Sequence, residues 1–284
     1  MKKISSKVLG YPQGQRIFNY LRQDLELSTT LIKKVKYGGV SVNGSIVTMR
    51  ATVYNGDMVE VTLPSEASEN IKPISIPLDI IYEDEHFIAI NKPPNMPTHP
   101  SRGNHLPSLA EGLCAYFQPE PFVFRSINRL DRDTGGIVLV AKDQLSADKL
   151  SRVMKSGGFI KKYEAIVSGA PSPECGIIDA PIGRIEDGNI KRAVMESGKR
   201  AITEYKVLKV LDKNRTLVEL TLHTGRTHQI RVHMSYIGHP LVNDFLYGER
   251  GEESYKLHAK SLSFTNPFDG REITLLCPSG FDLQ

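Results

Sequence analysis

The sequence predicts an α+β protein: a larger domain on a mixed, mainly antiparallel β-sheet flanked by helices and loops, behind a small N-terminal α/β module. Three observations carry this prediction. Apolar, strand-like runs at 87–90, 137–141, 163–167 and 217–222 recur without the regular strand-helix alternation of a parallel sheet. Helical character is confined to a few segments, chiefly 146–155 and 228–237 in the larger part. Between 64 and 77 the composition turns to Pro, Ser, Glu and Asn with little apolar periodicity, which reads as a linker. The expected division is therefore a module at 1–64, a linker at 65–77 and a main domain at 78–284.

Taken in order, Ile17, Leu21 and Leu25 mark a first helix. Ser28 is placed to cap a second, carrying Leu31, Ile32 and Val35 and stopped by Gly38-Gly39. Lys33, Lys34 and Lys36 decorate this second helix. Val40 and Val42 then alternate with polar residues, Asn43-Gly44 supplies a tight turn, and Val59 and Val61 follow Gly56-Asp57. In the main domain, Ile80-Ile81-Tyr82 and Phe87-Ile88-Ala89-Ile90 read as paired strands around the turn at Glu83-Asp84-Glu85. Tyr82, Phe87 and Phe264 are read as core aromatics.

Charge is unevenly spread. Through Pro64 the chain holds nine Lys/Arg against four Asp/Glu, a net +5, so the remainder of a chain of net charge +4 carries −1. Positive charge gathered in a small module with a basic helix fits a polyanionic partner better than a small metabolite. Cys114, Cys175 and Cys277 are far apart and form no CxxC pair, which argues against a zinc site and a disulfide framework. No apolar run is long enough to span a bilayer, and the basic start at Lys2-Lys3 lacks the apolar stretch of a secretory signal. A cytoplasmic monomer without membrane contact is the expectation.

Two stretches carry chemistry. In Ile127-Asn128-Arg129-Leu130-Asp131-Arg132-Asp133-Thr134-Gly135-Gly136 a charged loop runs straight into an apolar strand. Acids and arginines alternate there, so each carboxylate has a cation at hand to favour its ionised form. A catalytic carboxylate and a merely salt-bridged loop both fit that pattern. The second stretch is Thr224-Gly225-Arg226-Thr227-His228-Gln229-Ile230-Arg231-Val232-His233. A helix starting near Thr227 would put His228 and Arg231 on one face, suited to phosphate or to a carboxylate from another segment. His228 and His233 are five apart, which is not a same-face helical spacing, so no metal is expected. There is likewise no glycine-rich motif for a nucleotide cofactor.

Together with Asn91-Lys92-Pro93-Pro94, His99-Pro100, Lys162-Tyr163, Gly238-His239-Pro240, Tyr247-Gly248 and Leu257-His258-Ala259, these stretches resemble the RluA family of RNA pseudouridine synthases over 78–278. Residues 13–63 resemble the S-four-type RNA-binding domain through Val40-Ser41-Val42-Asn43-Gly44 and Gly56-Asp57. The first resemblance implies that Asp131 is the catalytic aspartate, that Arg231 pairs with it, and that Tyr163 lies beside the uracil ring. It implies RNA contact by Arg129, with Arg226, His228, Lys33, Lys34 and Lys36 as further RNA-binding candidates. For Arg226, phosphate contact and a structural ion pair both fit. The implied partner is RNA, ribosomal or transfer, and the reaction needs no cofactor. An inactive RNA-binding or ribosome-assembly factor is the alternative. A glycosidic hydrolase using Asp131 with Asp133 is disfavoured, because residues two apart in a loop or strand usually point apart. Three departures from the family pattern stand out: Asn128 where His is common, Gly136 where Ser is common, and Asn243 where Gly precedes an aspartate. The first two flank Asp131 and leave substrate class open; the third reads as a local loop difference. Lys92-Pro93-Pro94 is read as a rigid loop, and His258 as a satisfied structural histidine.

Overall fold

The computed structural model describes residues 3–64, 66, 71–100, 106–186, 190–212 and 214–281, so the expected linker lies partly outside the described residues. The first part runs β1 (Lys3–Lys7), β2 (Gln15–Arg16), α1 (Ile17–Gln23), α2 (Thr29–Val35), β3 (Val40–Val42), β4 (Ser45–Ile46), β5 (Thr52–Val53) and β6 (Met58–Thr62). Ser28 caps α2 by accepting the Leu31 N–H at 3.1 Å. Asn43 (φ 50°) and Gly44 (φ 82°) make the left-handed turn that joins β3 to β4. Leu25, expected on the first helix, lies beyond its end at Gln23. β1, which has no counterpart in the sequence reading, pairs antiparallel with β6. Ile17, Leu21, Leu31, Ile32, Val40, Val59 and Val61 close around a separate apolar cluster, joined by Leu145 from the main domain.

The main domain continues with β7 (Asp79–Glu83), β8 (Phe87–Lys92), α3 (Leu109–Tyr116), β9 (Arg125–Ser126), β10 (Gly135–Ala141), α4 (Gln144–Lys155), β11 (Phe159–Ser168) and β12 (Cys175–Asp179). It ends with β13 (Ile182–Arg184), β14 (Arg192–Val194), β15 (Ile202–Asp212), β16 (Arg215–Leu222), α5 (Gln229–Tyr236), β17 (Leu257–Thr265) and β18 (Glu272–Leu276). Ten strands form one sheet in the order β12-β15-β16-β11-β17-β10-β8-β7, with β18 beside β17 and β9 beside β10. All its pairings are antiparallel except β10 with β17, so the sheet is mixed and mainly antiparallel. Among the described residues no helix is long and apolar enough to cross a membrane.

The parallel contact decides where a site can form. β10 and β17 register over only Gly135↔His258 and Gly136↔Ala259. Beyond that the two strands separate, and the loop ahead of β10 opens at the join. The contact is close enough that a β-carbon on Gly136 would lie 2.3 Å from the Ala259 carbonyl oxygen, and φ there is +103°. No side chain, serine included, fits this backbone at position 136. Asn128, the other departure near Asp131, is a strut. Its Nδ2 donates to the Ile137 carbonyl at 2.9 Å and its Oδ1 accepts the Leu139 N–H at 2.8 Å, tying the loop to β10. Gly136→Ala is expected to destabilise the protein by about 2 kcal/mol or more, from strain and the backbone clash together. Urea denaturation with an unchanged m-value is the measurement.

Candidate active site

The loop ahead of β10 is pinned at successive carbonyls. Thr98 Oγ1 donates to the Leu130 carbonyl at 2.9 Å, and the Thr134 N–H donates to the Asp131 carbonyl at 3.1 Å. Lys92, with no exposed surface, donates from Nζ to Arg132 O at 3.0 Å and to Pro93 O and Met96 O at 2.8 Å. Burial pushes its pKa down to about 8, against the pull of Asp133 and Asp131. Lys92 thus ties 92–96 to the acidic loop, as a rigid element requires.

The two acids of that loop part company. Asp133 is buried and taken in a fork by Arg132, at 2.9 and 3.0 Å. Asp131 keeps 29% of its side chain exposed and receives Arg231 Nη1 at 3.3 Å. Arg231 is 4% exposed and is gripped harder from behind, where Nε and Nη2 reach Asp244 at 2.7 and 2.8 Å. Asp244 has no exposed surface and also accepts the Leu246 and Tyr247 N–H groups, at 3.0 and 3.2 Å. Burial works against the Arg231 charge, and the Asp244 hydrogen bonds overcome it, leaving its pKa above the ordinary value. The rings of Tyr255 and Tyr247 cover the guanidinium at 4.5 and 5.0 Å.

α5 begins at Gln229, and His228 caps it in a left-handed conformation (φ 58°) instead of lying within it. That turn brings His228 Nε2 to 3.8 Å from Asp131, while Nδ1 meets the Tyr247 hydroxyl at 2.7 Å. The same hydroxyl accepts the Arg192 N–H at 2.9 Å, and His228 turns its Nε2 toward Asp131. Burial, ahead of the opposing Asp131 charge, lowers the His228 pKa. Tyr163 is buried on β11; burial first and the Asp131 charge second raise its phenol well above the ordinary range, so it stays neutral.

The structure therefore gathers Asp131, Arg231, His228 and Tyr163 from three separate stretches of chain. The RNA pseudouridylate synthase family model matches residues 86–236. The chain is 40% identical to "Uncharacterized RNA pseudouridine synthase YjbO" of Bacillus subtilis, over 92% of this chain and 94% of that protein. It is 35% identical to "Ribosomal large subunit pseudouridine synthase D" of Haemophilus ducreyi, over 97% of this chain and 90% of that one. This chain belongs to the RluA family of RNA pseudouridine synthases. The solved structure of "Human RNA Pseudouridylate Synthase Domain Containing 1" superposes with a TM-score of 0.61 at 28% identity, covering 73% of this chain and 86% of that one.

Other expected residues of this pseudouridine synthase lie further out. Arg129 is exposed, two residues before Asp131. Arg226 is exposed at the loop ahead of α5, with Nε donating to the Arg200 carbonyl at 2.9 Å. Lys33, Lys34 and Lys36 sit exposed on and just after α2. Of these Lys34 is engaged, paired with Glu66 and donating to Gln144 Oε1 at 3.1 Å. His233 spends both ring nitrogens on Thr203 Oγ1 and the Ala180 carbonyl, each at 2.9 Å. His258 is buried with Nε2 on the Cys277 carbonyl at 3.0 Å.

The sequence reading missed Asp244 and Tyr255. It treated Val242-Asn243-Asp244 as a loop difference, yet Asp244 is the buried acid that holds Arg231. Asn243 takes φ 65°, a left-handed conformation that asparagine tolerates where glycine is otherwise used. An acid directly after such a residue was the available signal. Asp244→Ala should cost about 3–5 kcal/mol, because it leaves a buried guanidinium short of its main partner; thermal unfolding of the purified variant reads this. A pH effect follows from His228, His233 and His258, whose pKa values burial holds below the ordinary 6.5. Unfolded chains take up these protons first, so stability present above that pH is lost as pH falls through it. Urea midpoints should therefore be lower at about pH 5.5 than at about pH 7.5, and His233→Gln should flatten part of that difference.

Proposed function

We propose that Asp131 is the catalytic carboxylate of this synthase and that its substrate is large-subunit ribosomal RNA. The observation that carries the first part is the asymmetry between the two loop acids. Asp133 is consumed by its own ion pair, whereas Asp131 faces solvent with one guanidinium nitrogen against it. A carboxylate held this way has lone pairs left for a sugar carbon or a sugar proton. The support for the second part is likeness to relatives from Haemophilus and Vibrio named for the large ribosomal subunit.

In the reaction the C1′–N1 bond breaks, the uracil turns within the site, and C1′ joins C5. The C5 proton leaves to solvent and N1 gains one, so no redox equivalent or cofactor is needed. Asp131 acts as nucleophile at C1′, or as base at C2′ on a glycal route. Arg231 orients it from behind, and His228 turns Nε2 toward the same oxygen. Tyr163, kept neutral by its surroundings, packs on the ring. The target base must leave its stack before Asp131 can reach the sugar, at a cost of a few kcal/mol. Arg129, exposed beside the loop, fits the space so vacated.

Residues 1–64 act as an S-four-type RNA-binding domain, with Lys33 and Lys36 (the latter over the Tyr37 ring) exposed to contact backbone phosphates and Lys34 released from Glu66 on binding. Residues 65–77 are the linker and 78–284 the catalytic domain of a cytoplasmic monomer. Tritium release from C5-labelled uridine in unmodified ribosomal and transfer RNA tests the whole reading. Wild type should release tritium from large-subunit ribosomal RNA, and Asp131→Asn should lower the rate by about 10³-fold or more. Release from transfer RNA alone would overturn the substrate. An Asp131→Asn enzyme of near wild-type rate would overturn the catalytic assignment, and no release by folded wild type would leave an RNA-binding factor.

A further inference from the structure

Two lysines on the strands beside the site, Lys162 and Lys260, are matched to acids. Lys162 pairs with Glu219 at 3.2 Å, and Lys260 with Glu164 at 3.1 Å and Glu219 at 2.6 Å. Lys161 differs. It stands opposite Leu222 on β16 as Tyr163 stands opposite Leu220, so the two share a face of β11. Both leucines belong to the core beneath Tyr163. The Lys161 side chain is half-buried, and among the described residues neither a carboxylate nor a hydrogen-bond acceptor meets its ammonium.

What it does meet is more positive charge. Its Nζ lies 3.8 Å from the place a β-carbon on Gly225 would occupy, and the next residue is Arg226. The Arg226 backbone is fixed by its N–H bond to Gln229 Oε1 at 3.0 Å, and its Nε by the Arg200 carbonyl at 2.9 Å. Arg226 as a whole is exposed, again without a carboxylate partner among the described residues. Burial and then the Arg226 charge hold the Lys161 pKa below the usual lysine value, with no acid opposing them. A desolvated lysine and a hydrogen-bonded arginine, set together without a counter-ion, form an anion site. Two residues along β11 is about 7 Å, the reach of roughly one nucleotide from Tyr163.

We infer that Lys161 and Arg226 form a subsite for a phosphodiester of the RNA strand beside the target uridine. This rests on the reading of Asp131 and Tyr163 as the reacting centre, but its test needs no turnover. Binding of a fluorescent oligouridylate is measured as a function of salt for wild type, Lys161→Met, Lys161→Arg and Arg226→Gln. Each single-strand phosphate neutralised contributes about 0.7 to the slope of log affinity against log salt. Lys161→Met, which keeps the stem and drops the charge, should weaken binding severalfold at low salt and lower the slope by about 0.7. Arg226→Gln should act in the same direction, and Lys161→Arg should keep the wild-type slope. A lower melting temperature with an unchanged slope in Lys161→Met would make Lys161 a packing residue and overturn the subsite. Should Lys161→Met not fold, Arg226→Gln at its exposed position carries the same slope reading. Because binding is read without chemistry, loss of this subsite and loss of the Asp131 assignment are separate results.

Discussion

Burying the Arg231 guanidinium against two tyrosine rings is tolerable only because Asp244, itself without exposed surface, takes two of its nitrogens in a fork. An isolated charge at that depth would cost several kcal/mol. The pair fixes more than itself. Asp244 also collects the backbone N–H groups of Leu246 and Tyr247, which seats the Tyr247 hydroxyl against His228. Arg231 and His228 then meet the same oxygen of Asp131 from two directions. Stretches around 131, 228–231 and 244 are thereby held in one geometry by an interaction that none of them contains alone.

The sheet supplies the other half of that geometry. Because β10 and β17 run parallel for only two residues, the sheet is joined where the Asp131 loop emerges and open beyond it. Glycine at 136 lets the strands come that close, and Asn128 and Lys92 clamp the loop on either side. Lys92 has a cost: a buried ammonium answered by three carbonyls and, among the described residues, by no direct carboxylate contact. With it comes a loop whose carbonyls at 130, 131 and 132 are each engaged within the fold, while the Asp131 side chain stays partly exposed.

Legibility in the sequence followed the range of the interaction. The α2 cap at Ser28, the Asn43-Gly44 turn and the β7–β8 hairpin depend on neighbours within a few residues, and each is written locally. Asp131, Arg231 and Tyr163 could be named only through resemblance, since a loop of alternating charges fits a salt bridge as well as chemistry. What stayed hidden was set by partners far away in sequence. β1 exists because β6 offers it an edge, and β12 through β15 are half-exposed ribbons whose apolar alternation is weak. Asp244 looked like an ordinary loop acid because its meaning lies thirteen residues back in Arg231. By contrast, α3 was overlooked although Ser108 and Glu111 spell its capping box in plain order.

The division of labour between the two loop acids also explains why the loop carries both. A carboxylate that is to stay available in a cleft cannot be fully satisfied, because each hydrogen bond it already makes competes with an incoming group. Yet a loop with one under-coordinated acid among two arginines would have alternatives: Arg132 could turn to Asp131 and quench it. Asp133 removes that alternative by taking Arg132 in a two-bond fork from inside the fold. Arg231, locked by Asp244, can offer Asp131 only its remaining nitrogen. Asp131 is left with enough positive charge to hold it and too few donors to occupy it.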